Sequence, residues 1–379
     1  MCYKKLVSMF IMAIISGFLA IPASATDEIQ AASWLPPNHT ASVYCFKYYS
    51  ERAEYYSKGS LNVKVDLGSA MLTPRGAMQA LADGIVDVAV HTGQYTPSEL
   101  NVSAALEELA MLYTDPFITV AAAGDFEMND PMMKEQWKRN GVVYGGPLIT
   151  GSYNLLCNKD VSSLDQIKGR KIRLPGRSPA TWATGVGVVP VGVSSNEQYS
   201  ALDKGALDCT TAALTDMRDR KLYEVGKHVT KMPITIYWAG YSWAYNPKTW
   251  KGLTVEQRRA LFNAQADALA RYVVKGIIEG NQNAETFLKS EGVTFHDPDA
   301  DLVESLNNYK LKLTVEAANV AKKKFRIDDP QALYARFKAS IAKWTKLLSD
   351  MPRNDEKAFA QILRKEIFDK VDLSKHGVN

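Results

Sequence analysis

Cysteine and histidine are scarce, with four and five respectively in 379 residues. The histidines (His39, His91, His228, His296 and His376) are scattered along the chain, so no local His or Cys/His spacing of a metal site exists. An excess of one charge is missing too. Lys+Arg 45 against Asp+Glu 41 leaves +4, too weak for a nucleic-acid or anionic-membrane surface. Gly185-Val186-Gly187-Val188-Val189-Pro190 breaks a GxGxxG fingerprint at its last place, and there is no Walker A loop and no HExxH. Gly240-Tyr241-Ser242-Trp243-Ala244 only approximates a nucleophile elbow. An elbow needs a helix directly after its serine, whereas Trp243 to Pro247 reads as strand and turn. No catalytic residue, metal site or cofactor is expected.

Long apolar runs are absent after the first 25 residues. There, Lys4 and Lys5 precede an uncharged apolar stretch, Leu6 to Pro22, followed by Ala23-Ser24-Ala25. A basic start, a short apolar middle and a small-x-small site make a secretory signal peptide, with cleavage expected after Ala25. The run is short for a retained anchor, so the expected product is an exported, periplasmic protein. Loss of this segment removes two lysines and no acids, which halves the net charge. It also leaves Cys45, Cys157 and Cys209, an odd count in an oxidising compartment. One disulfide at most can form, and all three pairings stay open. None belongs to a CxxC pair and each sits among apolar or small residues, so a buried role is expected rather than a redox one.

The remaining chain alternates strand and helix patterns. A strand from Ile29 to Trp34 leads to a helix over Ala41–Ser57, marked by Val43, Phe46, Tyr49, Ala53 and Tyr56 at helical spacing. Leu61, Val63, Val65 and Leu67 alternate as in a strand; a helix from Pro74 to Asp83-Gly84 and a strand from Ile85 to Val90 follow. This is the pattern of a parallel, helix-covered sheet. Lys171 to Leu174, Ser178 to Thr184, Val188 to Val191, a helix opened by Ser194 and Glu197, and Ala206 to Thr211 repeat the plan. Both halves contain A-L-x-x-G-x-x-D, at Ala80–Asp87 and Ala201–Asp208, with a helix ending on glycine before a strand. Two similar lobes are expected. After a strand at Tyr241–Tyr245, Thr254 and Gln257 open a proline-free helix to about Ser290, roughly 50 Å at 1.5 Å per residue. Amphipathic helices over 301–325, 331–348 and 355–370 complete the chain.

One arginine stands out. Alternation puts Ile172 and Leu174 on one face and Arg173 on the other, and Pro175-Gly176 ends the strand just beyond it. Ligands of open α/β sheets bind at such carboxyl ends. A forked, always-charged guanidinium there suits a carboxylate; the spacing alone also allows a surface arginine or one in an intramolecular ion pair. Aromatic residues gather near other strand ends, at Trp34, Tyr95, Tyr153, Trp182, Tyr237, Trp238, Tyr241 and Trp243, as they do in clefts and in cores alike.

The run Ser163-Leu164-Asp165-Gln166-Ile167-Lys168-Gly169-Arg170-Lys171-Ile172-Arg173-Leu174-Pro175-Gly176 closely resembles the S-L-x-D-L-K-G-x-K-I-R-x-P-G signature of TRAP transporter extracytoplasmic solute-binding proteins, the DctP-type family. Val189-Pro190, Glu197-x-Tyr199-x-Ala201-Leu202, Gly205-x-x-Asp208 and Gln79-x-Leu81-x-x-Gly84-x-x-Asp87 are similar as well, so the likeness covers most of residues 28–290. The resemblance implies an α/β bilobal periplasmic-binding-protein fold, with a long helix spanning both lobes and C-terminal helices. The expected division is 26–150 for lobe 1, completed by part of 240–275, and 151–239 for lobe 2, completed by 276–379. It further implies an organic acid ligand gripped by Arg173, delivery to a small and a large membrane subunit under a sodium gradient, and no enzymatic activity. Two departures narrow the ligand. Tyr153 stands where many members carry a second arginine, and Ala212 where many carry an asparagine. A monocarboxylate with an apolar or aromatic body is therefore expected. Trp34, Tyr95, Tyr153, Trp182 and Trp238 are the expected wall, and Thr210 and Thr211 the expected hydrogen-bonding residues. A monomer that binds no nucleic acid is expected; the alternatives are an enzyme or a ligand sensor on the same scaffold.

Overall fold

Leu61 and Val63 are buried while Asn62 and Lys64 face water, the alternation of a half-buried strand. The same logic, read through the computed structural model, defines the fold over residues 26–68 and 70–378. The expected export segment, residues 1–25, lies outside the described residues. In chain order the strands are β1 (Asp27–Ser33), β2 (Leu61–Leu67), β3 (Val88–Thr92), β4 (Val143–Gly146), β5 (Tyr153–Cys157), β6 (Lys171–Arg173), β7 (Val189–Val191), β8 (Cys209–Ala212), β9 (His228–Thr235), β10 (Gly240–Tyr245) and β11 (Thr294–His296).

They form two sheets, one per lobe, ordered β2-β1-β3-β10-β4 and β11-β9-β5-β8-β6-β7. In the first, β1 runs parallel to β2 and β3, and β10 joins antiparallel. In the second, β6 runs parallel to β7 and β8, and β5 joins antiparallel. The expected parallel cores are there, and each gains one antiparallel strand: β10, which returns from beyond the second lobe's strands, in the first, and β5, which directly precedes β6, in the second. The shared A-L-x-x-G-x-x-D phrase has one geometry in both places. Gly84 (φ +74°) and Gly205 (φ +69°) take the left-handed backbone that ends each helix. Asp87 Oδ2 then accepts the Gln30 N–H at 2.8 Å, and Asp208 Oδ2 accepts the Lys171 N–H at 2.8 Å. In each lobe a carboxylate thus tethers the strand that follows it, β3 or β8, to its parallel neighbour, β1 or β6.

Helices cover both faces of the second sheet. Leu155 packs with Ile172, Trp182 and Leu306, while its neighbour Leu156 packs with Leu214, Ala284 and Leu288 on the opposite side. The chain crosses between lobes at β4 to β5 and at β9 to β10. These crossings are stitched together, with Thr150 N–H donating to Tyr237 O and Tyr237 N–H to Thr150 Oγ1, both at 2.9 Å.

The expected long helix is Val255–Arg271, opened by the Thr254/Gln257 capping box, and it continues through Tyr272–Glu279 into Gly280–Ser290. Its middle segment is a π-helix, packed against a second π segment, Ser42–Lys47, which precedes the helix Tyr48–Tyr56. Gly276 lets this helix approach the chain just before that segment: a Cβ there would meet Tyr272 Cδ2 at 2.6 Å and Thr40 Cγ2 at 3.0 Å.

One part of the expected division changes. Helix Ala300–Lys324 touches both lobes, through Asn101–Glu107 and Arg177–Gly185. Pro330–Leu347 and Glu356–Glu366, expected to complete the second lobe, pack instead on the first, against Pro116–Asn129 and Val255–Arg271. The reason lies in their apolar faces: Phe337, Trp344, Phe359 and Leu363 join the core of the first sheet. No helix among the described residues is long and apolar enough to cross a membrane.

Cys157 and Cys209 form a disulfide; Cys45 is free and buried. Antiparallel pairing places the two bonded cysteines directly opposite one another on β5 and β8, a pairing that sequence spacing left open. The crosslink closes a separation of 52 residues, which in the chain-entropy model is worth about 4 kcal/mol at most. The double variant Cys157→Ala/Cys209→Ala should therefore unfold at lower denaturant by about 2–4 kcal/mol. Reductant should destabilise the wild type and leave the variant unchanged; equal responses to reductant would show that the pair is not joined.

Candidate ligand-binding cleft

Three features of the sequence hold Arg173 in place. Ile172 anchors β6 in the second lobe's core, the Lys171 carbonyl accepts the Asp208 N–H, and Pro175 with Gly176 (φ +80°) turns the chain out of the sheet. Alternation then sends the Arg173 side chain to the cleft face at the carboxyl end of the strand. It is only 2% exposed. Its Nε donates to Val193 O at 3.3 Å and its NH1 to Thr211 O at 3.1 Å, while Thr211 Oγ1 donates back to Arg173 O at 3.1 Å. The guanidinium is thus fixed by backbone carbonyls, with no carboxylate at ion-pair distance among the described residues. Asp216 influences it from further away but is engaged by His39 Nε2 at 2.5 Å and by Arg220 at 3.7 Å. Burial favours protonation of Asp216, yet that His39 hydrogen bond, aided by Arg220 and Arg173, holds its carboxyl down at about 2.

Arg173 lines a cleft of about 500 Å³ between the lobes. The second lobe contributes Leu174 to Arg177 and Pro190 to Val193; the first contributes Arg75, Gln94, Tyr95, Glu107 and Glu108; Lys324 and Phe325 come from the end of the helix that touches both. Polar contacts already cross between the lobes. Ser195 N–H donates to Tyr95 OH at 3.2 Å, and Ser178 Oγ donates to Glu108 Oε2 at 2.5 Å. Near the long helix, Thr40 N–H and Oγ1 both donate to Asp219 Oδ2 at 2.6 Å.

Two carboxyls in the cleft are perturbed. Burial, only partly offset by the Thr92 hydroxyl that donates to Oε1 at 2.8 Å, pushes Glu107 up to about 8. Burial raises Glu108 as well, against the opposing effects of Ser178, Arg177 and Lys324. Both residues escaped the sequence reading. The available signal was a pair of adjacent acids inside the apolar stretch from Val102 to Met111, which cannot all face water.

Of the expected site residues, Arg173 and Tyr95 line this cleft. Tyr153 lies beside Arg173 without lining it, edge to face with Tyr237 at 5.1 Å, and Tyr237 OH donates to Pro175 O behind the strand turn. Trp34 stands behind Tyr95 at 5.9 Å, inside the first lobe's core. Trp182 is in the second lobe's core, its indole N–H donating to Ser305 Oγ at 3.4 Å, and Trp238 stacks on Phe337 at 4.4 Å in the first lobe's core. The Thr210 hydroxyl donates to Gln198 Oε1 at 2.7 Å, and that of Thr211 is spent on Arg173 O. Ala212, at the end of β8, is buried opposite Asn154. Ser242 lies in the middle of β10, buried, with strand continuing to Tyr245 rather than a helix.

Comparison with known proteins agrees with this architecture. Residues 31–319 match the family model described as bacterial extracellular solute-binding protein, family 7. The C4-dicarboxylate-binding periplasmic protein DctP of Rhodobacter capsulatus is 24% identical over 292 residues, covering 75% of this chain and 84% of that protein. A TRAP solute-binding protein from an unidentified marine microbe, specific for aromatic acid ligands and solved with 3-hydroxybenzoate, superposes with a TM-score of 0.73 at 20% identity over 85% of this chain and 99% of its own. One from Rhodoferax ferrireducens, solved with copurified benzoate, gives 0.74 at 17% identity over the same shares. The family match spans both lobes and the cleft between them, and the chain belongs to the bacterial extracellular solute-binding proteins of family 7, the DctP type of TRAP transport.

Proposed function

We propose that this protein captures a small organic acid in the periplasm, with Arg173 as the carboxylate clamp, and delivers it to the small and large membrane subunits of a TRAP transporter. The observation that carries this reading is the burial of the Arg173 guanidinium with backbone carbonyls as its partners. A cation so far from water is costly unless an anion meets it, and a ligand carboxylate can do so through two parallel N–H···O bonds. Tyr95 and Leu174, beside Arg173 in the cleft, supply an apolar wall for the ligand body. Tyr153 and Tyr237 back the clamp, and Thr211 orients it. Because the lining comes from both lobes, a ligand gains its full set of contacts only when they approach, so binding shifts the population towards a closed form. The solved relatives bound to benzoate and 3-hydroxybenzoate favour a carboxylate on an aromatic or apolar body as the ligand class. The Cys157–Cys209 bridge suits an oxidising compartment such as the periplasm.

Arg173→Ala should weaken binding of any stabilising organic acid by about 100-fold or more, and Arg173→Lys by about 10-fold or more through loss of the fork. Calorimetry measures both. The unliganded Arg173→Ala protein should melt no lower than wild type, since an uncompensated buried charge has been removed; unchanged affinity in that variant would sink the clamp.

Expression with its leader in a bacterial host should yield a periplasmic protein beginning at Thr26. Intact mass spectrometry of the periplasmic fraction checks this, and a full-length mass in the membrane fraction would contradict it.

A further inference from the structure

Across the cleft from Arg173, the first lobe contributes a carboxyl group with one hydrogen bond to the fold, from the Thr92 hydroxyl, among the described residues. Glu107 is the last residue of the helix Asn101–Glu107, the end of a helix where a negative charge is unfavourable. Its neighbours Val102, Ala105 and Leu106 are core residues, and Glu107 itself is 7% exposed. Oε1 accepts from the Thr92 hydroxyl; Oε2 has no hydrogen-bond partner among the described residues, and the side chain lines the cleft. Oε2 is therefore open to the cleft, where only water or a bound molecule can bond to it. Arg173 and Glu107 make no ion pair with one another, yet both act electrostatically on the Tyr237 hydroxyl. Both line the same cleft of about 500 Å³, one group from each lobe, so a single bound molecule can face both.

We propose that Glu107 is the specificity residue of the cleft, hydrogen-bonding a hydroxyl on the body of an organic acid whose carboxylate sits on Arg173. This rests on the Arg173 reading above and adds a substrate class to it: hydroxylated carboxylic acids in preference to their unsubstituted parents. The chemistry is matched. A carboxyl that keeps its proton at neutral pH both donates and accepts, as a hydroxyl does, and it does not repel the ligand carboxylate nearby. A site built to bond a hydroxyl discriminates strongly against an analogue without one, because its own buried group is then left unpaired.

The test is calorimetry on the mature protein with matched probes: 3-hydroxybenzoate against benzoate, mandelate against phenylacetate, and phenylglycine against phenylacetate. The wild type should prefer the hydroxylated member of at least one pair by about 10-fold or more. Glu107→Leu should reduce that preference to within about 3-fold, and Glu107→Gln, which still donates and accepts, should retain it. The proposal falls if no hydroxylated probe is preferred, if the ammonium-bearing phenylglycine is preferred over mandelate, if Glu107→Leu keeps the preference, or if it weakens both members of a pair equally. The wild-type preference stands as a test even where Glu107→Leu fails to fold. Failure of the clamp itself reads differently: Arg173→Ala would bind every probe as the wild type does.

Discussion

A guanidinium cannot escape burial by giving up its proton, and Arg173 is held where water scarcely reaches it. Much of the second lobe's cleft edge follows from that constraint. Val193 and Thr211 turn their carbonyls towards its N–H groups, and the Thr211 hydroxyl fixes the Arg173 backbone in return. The Pro175-Gly176 turn ends the strand so that the side chain meets the opposing lobe, and Tyr237 braces the turn from behind. A structural ion pair would have neutralised this cation from within. Backbone dipoles orient it without cancelling its charge, and the attraction for an external anion survives.

The hinge supplies the second requirement, that such an anion be enclosed. The two backbone crossings hydrogen-bond to each other through Thr150 and Tyr237, and the long helix passes beside them with a π-helical middle packed on another π segment. Irregular helical backbone, with the close contact at Gly276, lies at the meeting of the two lobes, where the proposed closure would turn. Asp219 on the second lobe accepts from Thr40 on the first, and Asp216 from His39, so the lobes remain registered on the hinge side while the cleft side holds a ligand-sized volume.

Much of the fold is legible in local sequence patterns. Leu61–Leu67 has the expected bounds, the Thr254/Gln257 box opens the long helix, and the duplicated glycine–aspartate phrase reports two lobes with matching backbone tethers. These are local signals: alternation, capping and positive φ act over a few residues. The assignment of the C-terminal helices misread what is not local. Their periodicity shows an apolar face at Phe337, Trp344 and Phe359 but not which core that face meets, and the first lobe received it. The site divides in the same way. Arg173 could be picked out because strand alternation and a Pro-Gly stop act within one segment. Trp34, Trp182 and Trp238 show the opposite case: bulky aromatic rings near strand ends, which the packing placed in the cores of the lobes.

The sequence by itself determined the pair of α/β lobes, the position of a cationic strand end and the family to which both belong, because each of these is written in contiguous residues. Tertiary structure alone decided that Cys157 faces Cys209, that Glu107 reaches a cleft lined also by Arg173, and that the last helices complete the first lobe. Those outcomes depend on strand register and lobe docking, which bring together side chains separated by 52 residues or more. No spacing rule carries that information, because contact between such groups is set by the summed packing of everything between them.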